Sequence, residues 1–130
     1  MTQLEAATLY AGLFVLLFLA LKLNCGRVRA GEKVNFGEGG NEAMTRAMRV
    51  QGNAVEDVPV VLIGLFALAS LGAPVALIHG LGGGFFVARV LHALGLGGAP
   101  GLGWGRFVGT IGTLITMLVT AGACIWLALT

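Results

Sequence analysis

Apolar residues fall in three long uncharged runs, Ala6 to Leu21, Val58 to Ala88 and Phe107 to Thr130, with polar residues gathered between them. A membrane-spanning helix needs roughly 20 mostly apolar residues, so the outer two runs each suit one span. The middle run is too long for one. It is interrupted at Leu71-Gly72-Ala73-Pro74, a tight turn followed by a proline that fits the first turn of a new helix. The pattern predicts four spans, about 4–23, 43–70, 74–94 and 106–129, in a single domain covering residues 1–130. That is an all-α fold, an integral membrane four-helix bundle running up-down-up-down. Residues 24–42 and 95–105, rich in glycine and without apolar periodicity, read as connectors.

Composition strengthens the membrane reading. The chain has 130 residues, of which 57% are hydrophobic and 11% charged, and its mean hydropathy of +0.92 lies beyond ordinary soluble domains. The opening MTQLEAATLY carries a glutamate and no lysine or arginine. It lacks the basic start of a secretory signal, so the first span is expected to be retained.

Charge then orients the bundle. Threading four spans alternately through a bilayer brings all eight basic residues, Lys22, Arg27, Arg29, Lys33, Arg46, Arg49, Arg89 and Arg106, to one face. The positive-inside bias makes that face cytoplasmic, with connectors 24–42 and 95–105 inside and both termini and the 71–74 turn outside. Basic residues so few and so placed do not suit a nucleic-acid partner. Cys25 and Cys124 belong to opposite ends of their spans, which argues against a disulfide between them within one chain. No CxxC or His/Cys cluster suggests a metal. Gly80, Gly84, Gly105, Gly109, Gly112 and Thr113 are small residues in or beside the last two spans. They allow helices to approach closely, within one subunit or between subunits.

The segment RVQGNAVEDVP, residues 49–59, is unusually polar for the mouth of an apolar helix. Arg46, Arg49, Asn53, Glu56 and Val60 recur at spacings of three and four, which aligns them along one helix face. Asp57 lies off that stripe and is expected to pair with a base from the connector. Arg89 and His92, three apart, share a face near the end of span three, and Arg106 opens span four. An arginine at mid-span costs roughly 2.5–3.5 kcal/mol on insertion scales. Ionisable residues inside a membrane are therefore functional-site candidates. Arg46 and Arg49 also fit a simpler role as anchors that reach to the interface, and His79, far from the cluster, reads as structural. Guanidinium forks hold carboxylates bidentately, while a glutamate and an asparagine suit an ammonium and an amide. A peptide with two carboxylates, an amine and a thiol, such as glutathione, has that chemistry.

The run RAMRVQGNAVEDVP resembles the signature of the MAPEG family, the membrane-associated proteins in eicosanoid and glutathione metabolism. There an arginine is followed by asparagine four on, glutamate three further and proline three beyond; here these are Arg49, Asn53, Glu56 and Pro59. ARVLHALG, with Arg89 and His92, and the helix-four Arg106 are similar to the same family, and FGEGGNEAM and the compact connectors look most like its bacterial branch. The resemblance implies a homotrimer in a bacterial inner membrane, with glutathione as co-substrate bound between subunits near the cytoplasmic face. It implies that Arg49, Asn53, Glu56, Arg89 and His92 hold the peptide, Glu56 taking its amine, that Arg27 or Arg29 reaches a carboxylate, and that Arg106 is the catalytic residue beside the sulfur.

The chemistry so implied is thiol activation. A free thiol has a pKa of about 8.5, and lowering it by about two units needs roughly 2.7 kcal/mol of preferential stabilisation of the thiolate. The expected activity is that of a glutathione transferase or glutathione-dependent peroxidase acting on hydrophobic electrophiles or lipid hydroperoxides in the membrane lipid. Three positions depart from the family pattern. Asp57 and Leu96 stand where tyrosine is common, and Phe107 follows the helix-four arginine and offers no hydroxyl. Two other readings fit the composition, a non-catalytic lipid-binding or scaffold member of the family and a small four-helix transporter. The transporter would want a carboxylate deep in a span, whereas Glu5 lies at an end and Glu56 and Asp57 accompany arginines.

Overall fold

The computed structural model describes all residues 1–130. It consists of four helices, α1 (Gln3–Gly31), α2 (Glu42–Ser70), α3 (Val75–Leu96) and α4 (Trp104–Leu129), and contains no strand. Each helix is long and apolar enough to cross a membrane.

Local chemistry sets the ends. Thr2 and Glu5 form a reciprocal capping box at the start of α1, with Thr2 N donating to Glu5 Oε2 at 2.7 Å and Glu5 N to Thr2 Oγ1 at 3.2 Å. Asn41 caps α2 by accepting from Met44 N at 2.9 Å. After α2, Gly72 adopts a φ of +75°, and the Ala73 N–H turns back to Leu68 O at 3.0 Å. The end of α3 repeats the device. Gly98 has a φ of +83° and Ala99 N reaches Leu94 O at 3.0 Å. A left-handed residue after the last turn lets the chain satisfy carbonyls that the helix leaves open, and glycine enters that region without a Cβ penalty.

The first connector is shorter than the sequence pattern implies. Residues 24–31 lie in α1 rather than in a loop, so only residues 32–41 connect the first two helices. Glycine richness was the misleading signal, because Gly26 and Gly31 are interspersed with residues that propagate a helix well enough. The extension is tied down by Cys25 Sγ, which donates to Ala47 O at 3.3 Å, and by Arg29, whose Nη1 donates to Val34 O and Gly37 O at 3.3 and 3.1 Å.

α2 and α3 lie at the centre, each touching all three other helices, while α1 and α4 do not meet. The main core forms where α1, α2 and α3 converge around Phe14, Leu65, Leu68, Ile78 and Phe85. Phe14 packs on Phe85 and Phe86 with ring centroids 5.1 and 5.4 Å apart. Within lipid, helix association of this kind depends on close packing rather than on escape from water.

Small residues make that packing possible between α3 and α4. The buried side of α4 reads Gly105, Gly109, Thr113, Thr116, Thr120. A Cβ at Gly105 or Gly109 would collide with the α3 backbone at Leu91 or Ala88, and one at Gly112 with the Ala88 side chain. On α3 the glycines that matter are Gly82, pressed on the Tyr10 ring, and Gly95, pressed on the start of α4; nothing packs against Gly80 or Gly84. Tyr10 Oη also contacts His79 Nδ1 at 2.9 Å, which ties His79 to α1 as a structural residue.

Candidate functional site

The polar residues of three helices converge on Arg89. Its position follows from the close α3–α4 approach at Gly109 and Gly112, which leaves no room for side chains between the helices and brings the next polar residue, Thr113, against α3. Arg89 is 2% exposed, the most buried charged residue in the chain. Its Nη1 donates to Asp57 Oδ2 at 3.0 Å and to Thr113 Oγ1 at 3.4 Å, and its Nη2 donates to Asn53 Oδ1 at 2.9 Å. Thr113 accepts because its own proton goes to Gly109 O at 2.8 Å. Nη2 also lies 3.4 Å from His92 Nδ1. A guanidinium cannot accept, so that contact has Nδ1 as acceptor and the ring N–H on Nε2. Arg89 Nε has no partner. A cavity of ≈ 110 Å³ adjoins the network, lined by Asn53, Asp57, Arg89, His92, Thr110, Thr113, Leu114 and Met117.

Asp57 therefore pairs with Arg89 of α3 and not with a base from the connector. The correction is a matter of helix phase. Asp57 follows Asn53 by four residues, so both face α3 one turn apart. The spacing was visible in the sequence. Its partner was not, because nothing local says which arginine on another helix stands opposite.

The sequence model of the MAPEG family matches residues 7–126. The chain belongs to the MAPEG family. It is 30% identical to the inner membrane protein YecN of Escherichia coli K12 over 89 residues, which is 68% of each chain. It is also 35% identical over 125 residues to the uncharacterized protein sll1147 of Synechocystis, covering 94% of this chain and 88% of that one. No solved structure matches it.

In this MAPEG chain the α2 motif divides between two environments. Asn53 turns inward to Arg89, whereas Arg49 and Glu56 are exposed on the helix surface and make no side-chain hydrogen bond or ion pair within the chain. Arg106 is likewise exposed at the first turn of α4, its backbone packed on Gly95. Arg46 is used structurally, its Nη1 donating to Leu96 O at 3.0 Å and its Nη2 to Glu42 at 3.1 Å. Arg27 bonds Asn24 Oδ1 at 2.8 Å and borders a separate cavity of ≈ 600 Å³ with Arg46, Glu42 and Gly98. Arg29 is engaged by the connector carbonyls. The structure thus joins Asn53, Arg89 and His92 into one cluster with Asp57 and Thr113, residues that the spacing of the α2 stripe did not single out. It leaves Arg49, Glu56 and Arg106 exposed on the surface of the helices.

Proposed function

We propose that the protein is a membrane-bound glutathione transferase or glutathione-dependent peroxidase that activates the glutathione thiol for attack on hydrophobic electrophiles or lipid hydroperoxides. One observation carries the reading beyond family membership. Arg49, Glu56 and Arg106, two cations and an anion, are exposed on helix surfaces without partners in their own subunit. Charges in or near a membrane need partners or water, and a zwitterionic peptide bound between neighbouring subunits would supply them.

The assembly is a homotrimer of up-down-up-down subunits. Paired contacts support this threading: Tyr10 meets His79 and Phe14 meets Phe85, whereas Asn53 and Asp57 meet Arg89 and Arg46 meets Leu96. The E. coli relative is described as an inner membrane protein, and we place this chain in a bacterial inner membrane, with the basic connectors cytoplasmic and both termini outside.

In the reaction Arg49, Asn53 and Glu56 hold the peptide, with Glu56 taking the amine and Arg27 or Arg29 a carboxylate. Arg89 and His92 support the site from α3. Arg106 stands by the sulfur and stabilises the thiolate as the thiol proton passes to water. In transfer, the thiolate forms a carbon–sulfur bond with the electrophilic carbon as the bond from that carbon to the leaving group breaks, and the leaving group departs with the electron pair. In the peroxidase reaction two glutathiones become the disulfide while the hydroperoxide O–O bond breaks, giving an alcohol and water.

The test is glutathione titration of the purified protein in detergent, followed by thiolate absorbance and by conjugation to an aromatic electrophile. Binding at millimolar glutathione with turnover is expected. Binding without thiolate or turnover would mark a non-catalytic family member, and no binding would remove the glutathione reading altogether. Arg106→Ala is expected to lower turnover by about 10²–10³-fold, the scale for loss of one group that stabilises a developing anion, while glutathione affinity changes far less. An unchanged rate would show that Arg106 does not act on the sulfur.

A further inference from the structure

Arg89 has only donors, so every group facing it must accept. Because its Nη2 takes Asn53 Oδ1 at 2.9 Å, the Asn53 amide is fixed with its oxygen turned inward and its NH2 left over. That NH2 makes no hydrogen bond within the subunit and, unlike Arg89 Nε, is not sealed from the surface. Asn53 also borders the ≈ 110 Å³ cavity between α2 and α4. A freely flipping asparagine can offer a ligand either end of its amide. This one can offer only N–H donors.

We propose that Asp57 is a positioning residue: by neutralising and orienting Arg89 it locks Asn53 as a donor-only contact for an acceptor oxygen, a carbonyl or carboxylate, of the bound peptide. The proposal rests on the glutathione reading for the identity of the ligand, and on geometry alone for the relay from Asp57 through Arg89 to Asn53.

Two features give Asp57 control of the relay. The Arg89 side chain is 1% exposed against 27% for Asp57, so the arginine has no route to solvent if the carboxylate is lost. A buried cation deprived of its only anionic contact must seek other acceptors or shift. Secondly, Asn53 and Asp57 stand one helical turn apart, which lets one guanidinium grip them with different nitrogens, as observed. The grip fixes the rotation of the guanidinium and with it the direction of Nη2.

The full-length protein in detergent allows a direct test by calorimetric titration with glutathione. Asp57→Asn should weaken binding by about tenfold or more, the scale for disturbing a charge-assisted contact, and Asp57→Glu should restore most of it. The exchange variant Asn53→Asp/Asp57→Asn keeps one carboxylate and one amide around Arg89. It should melt close to wild type and yet lose the same affinity, because position 53 no longer offers a donor. Wild-type affinity in that variant would overturn the proposal, since neutralising Arg89 would then be all that matters. In an Asn53→Ala background, Asp57→Asn should cost nothing further. An additive loss would overturn the relay by showing that Asp57 meets the ligand itself.

A ligand-free measurement separates the relay from the function on which it rests. Melting shifts of Asp57→Asn, Asn53→Ala and the double variant should be non-additive, and additive shifts would overturn the relay even in a protein that binds glutathione. Non-additive melting in a wild type that binds no glutathione would overturn the ligand half of the proposal together with the glutathione reading.

Discussion

Asn53 lies between two polar directions on α2. Successive residues in an α-helix turn by about 100°, so Glu56 lies about 60° to one side of Asn53 and Asp57 about 40° to the other. Reading the stripe through Glu56 points outward; reading it through Asp57 points to Arg89. Both are physically real, and Asn53 belongs to both. The inner direction carries the larger energetic stake, because it neutralises a cation buried where neither water nor lipid headgroups reach it. Asp57→Ala leaves that cation unpaired and is expected to destabilise the protein by about 3–5 kcal/mol, the scale for removing one partner of a buried pair. Thermal unfolding in detergent would measure it, and a melting temperature equal to wild type would show the pair to be dispensable. The residues proposed to meet a ligand were easier to suspect from the sequence than Asp57, proposed to position Asn53 through Arg89. Arg49, Glu56 and Arg106 declare themselves as charges beside apolar runs. Asp57 does so too, but its role depends on which side chain faces it across the α2–α3 contact, and a linear pattern does not encode that.

Among the elements, α4 shows how far small residues determine geometry. Its buried edge repeats glycine and threonine at spacings of three and four, and Thr113 and Thr116 return their hydroxyl protons to Gly109 O and Gly112 O, each at 2.8 Å. Those two hydroxyls therefore add no unpaired donor to the interface, whereas the Thr120 hydroxyl on the same edge is buried without a partner. Gly109→Ala would push a methyl group into the Ala88 carbonyl and His92. Overpacking of this kind costs about 1–3 kcal/mol, and here it would also move Thr113 from Arg89. Gly84→Ala meets nothing and should leave stability unchanged or raise it by up to about 1 kcal/mol, the helix preference of alanine over glycine. Comparing the two melting temperatures tests whether close approach or glycine content matters. The small residues that the sequence marks on α4 do pack against α3, whereas on α3 Gly82 and Gly95 make the contacts within the chain and Gly80 and Gly84, which share the spacing, meet nothing in it. A run of three glycines, Gly82 to Gly84, presents small surfaces over most of a turn, and only the position of α1 selects among them. The number of helices and the break at Gly72 were legible because length and hydropathy decide them. The end of α1 was not, because helix outlasts apolarity there by about two turns.

For the molecule as a whole, the absence of contact between α1 and α4 leaves the bundle with two outer edges. α4 exposes Phe107, Leu114, Ile115, Leu118 and Ile125, and α1 exposes Leu9, Val15, Leu16 and Leu19. Distinct edges that pack head to tail close into a ring, whereas a two-fold dimer uses one edge twice. The proposed trimer is the ring solution, and light scattering of the detergent complex should return three chains; a monomer or dimer would rule out a site shared around a ring.

The Arg89–Asp57 pair also bears on how the chain enters its membrane. The most apolar stretch of α3 is less apolar than that of any other helix, and α3 carries an arginine of a kind that costs roughly 2.5–3.5 kcal/mol at mid-bilayer. The acid that neutralises it lies on α2, which leaves the ribosome first, while Thr113 on α4 emerges last. Insertion of α3 can thus be assisted by a helix already in place, and the order of charges along the gene becomes part of the biogenesis of the fold. Removing the carboxylate at position 57 should lower the fraction of chains that integrate α3 during translation into membrane vesicles, and the reduction should be visible before any bundle has assembled.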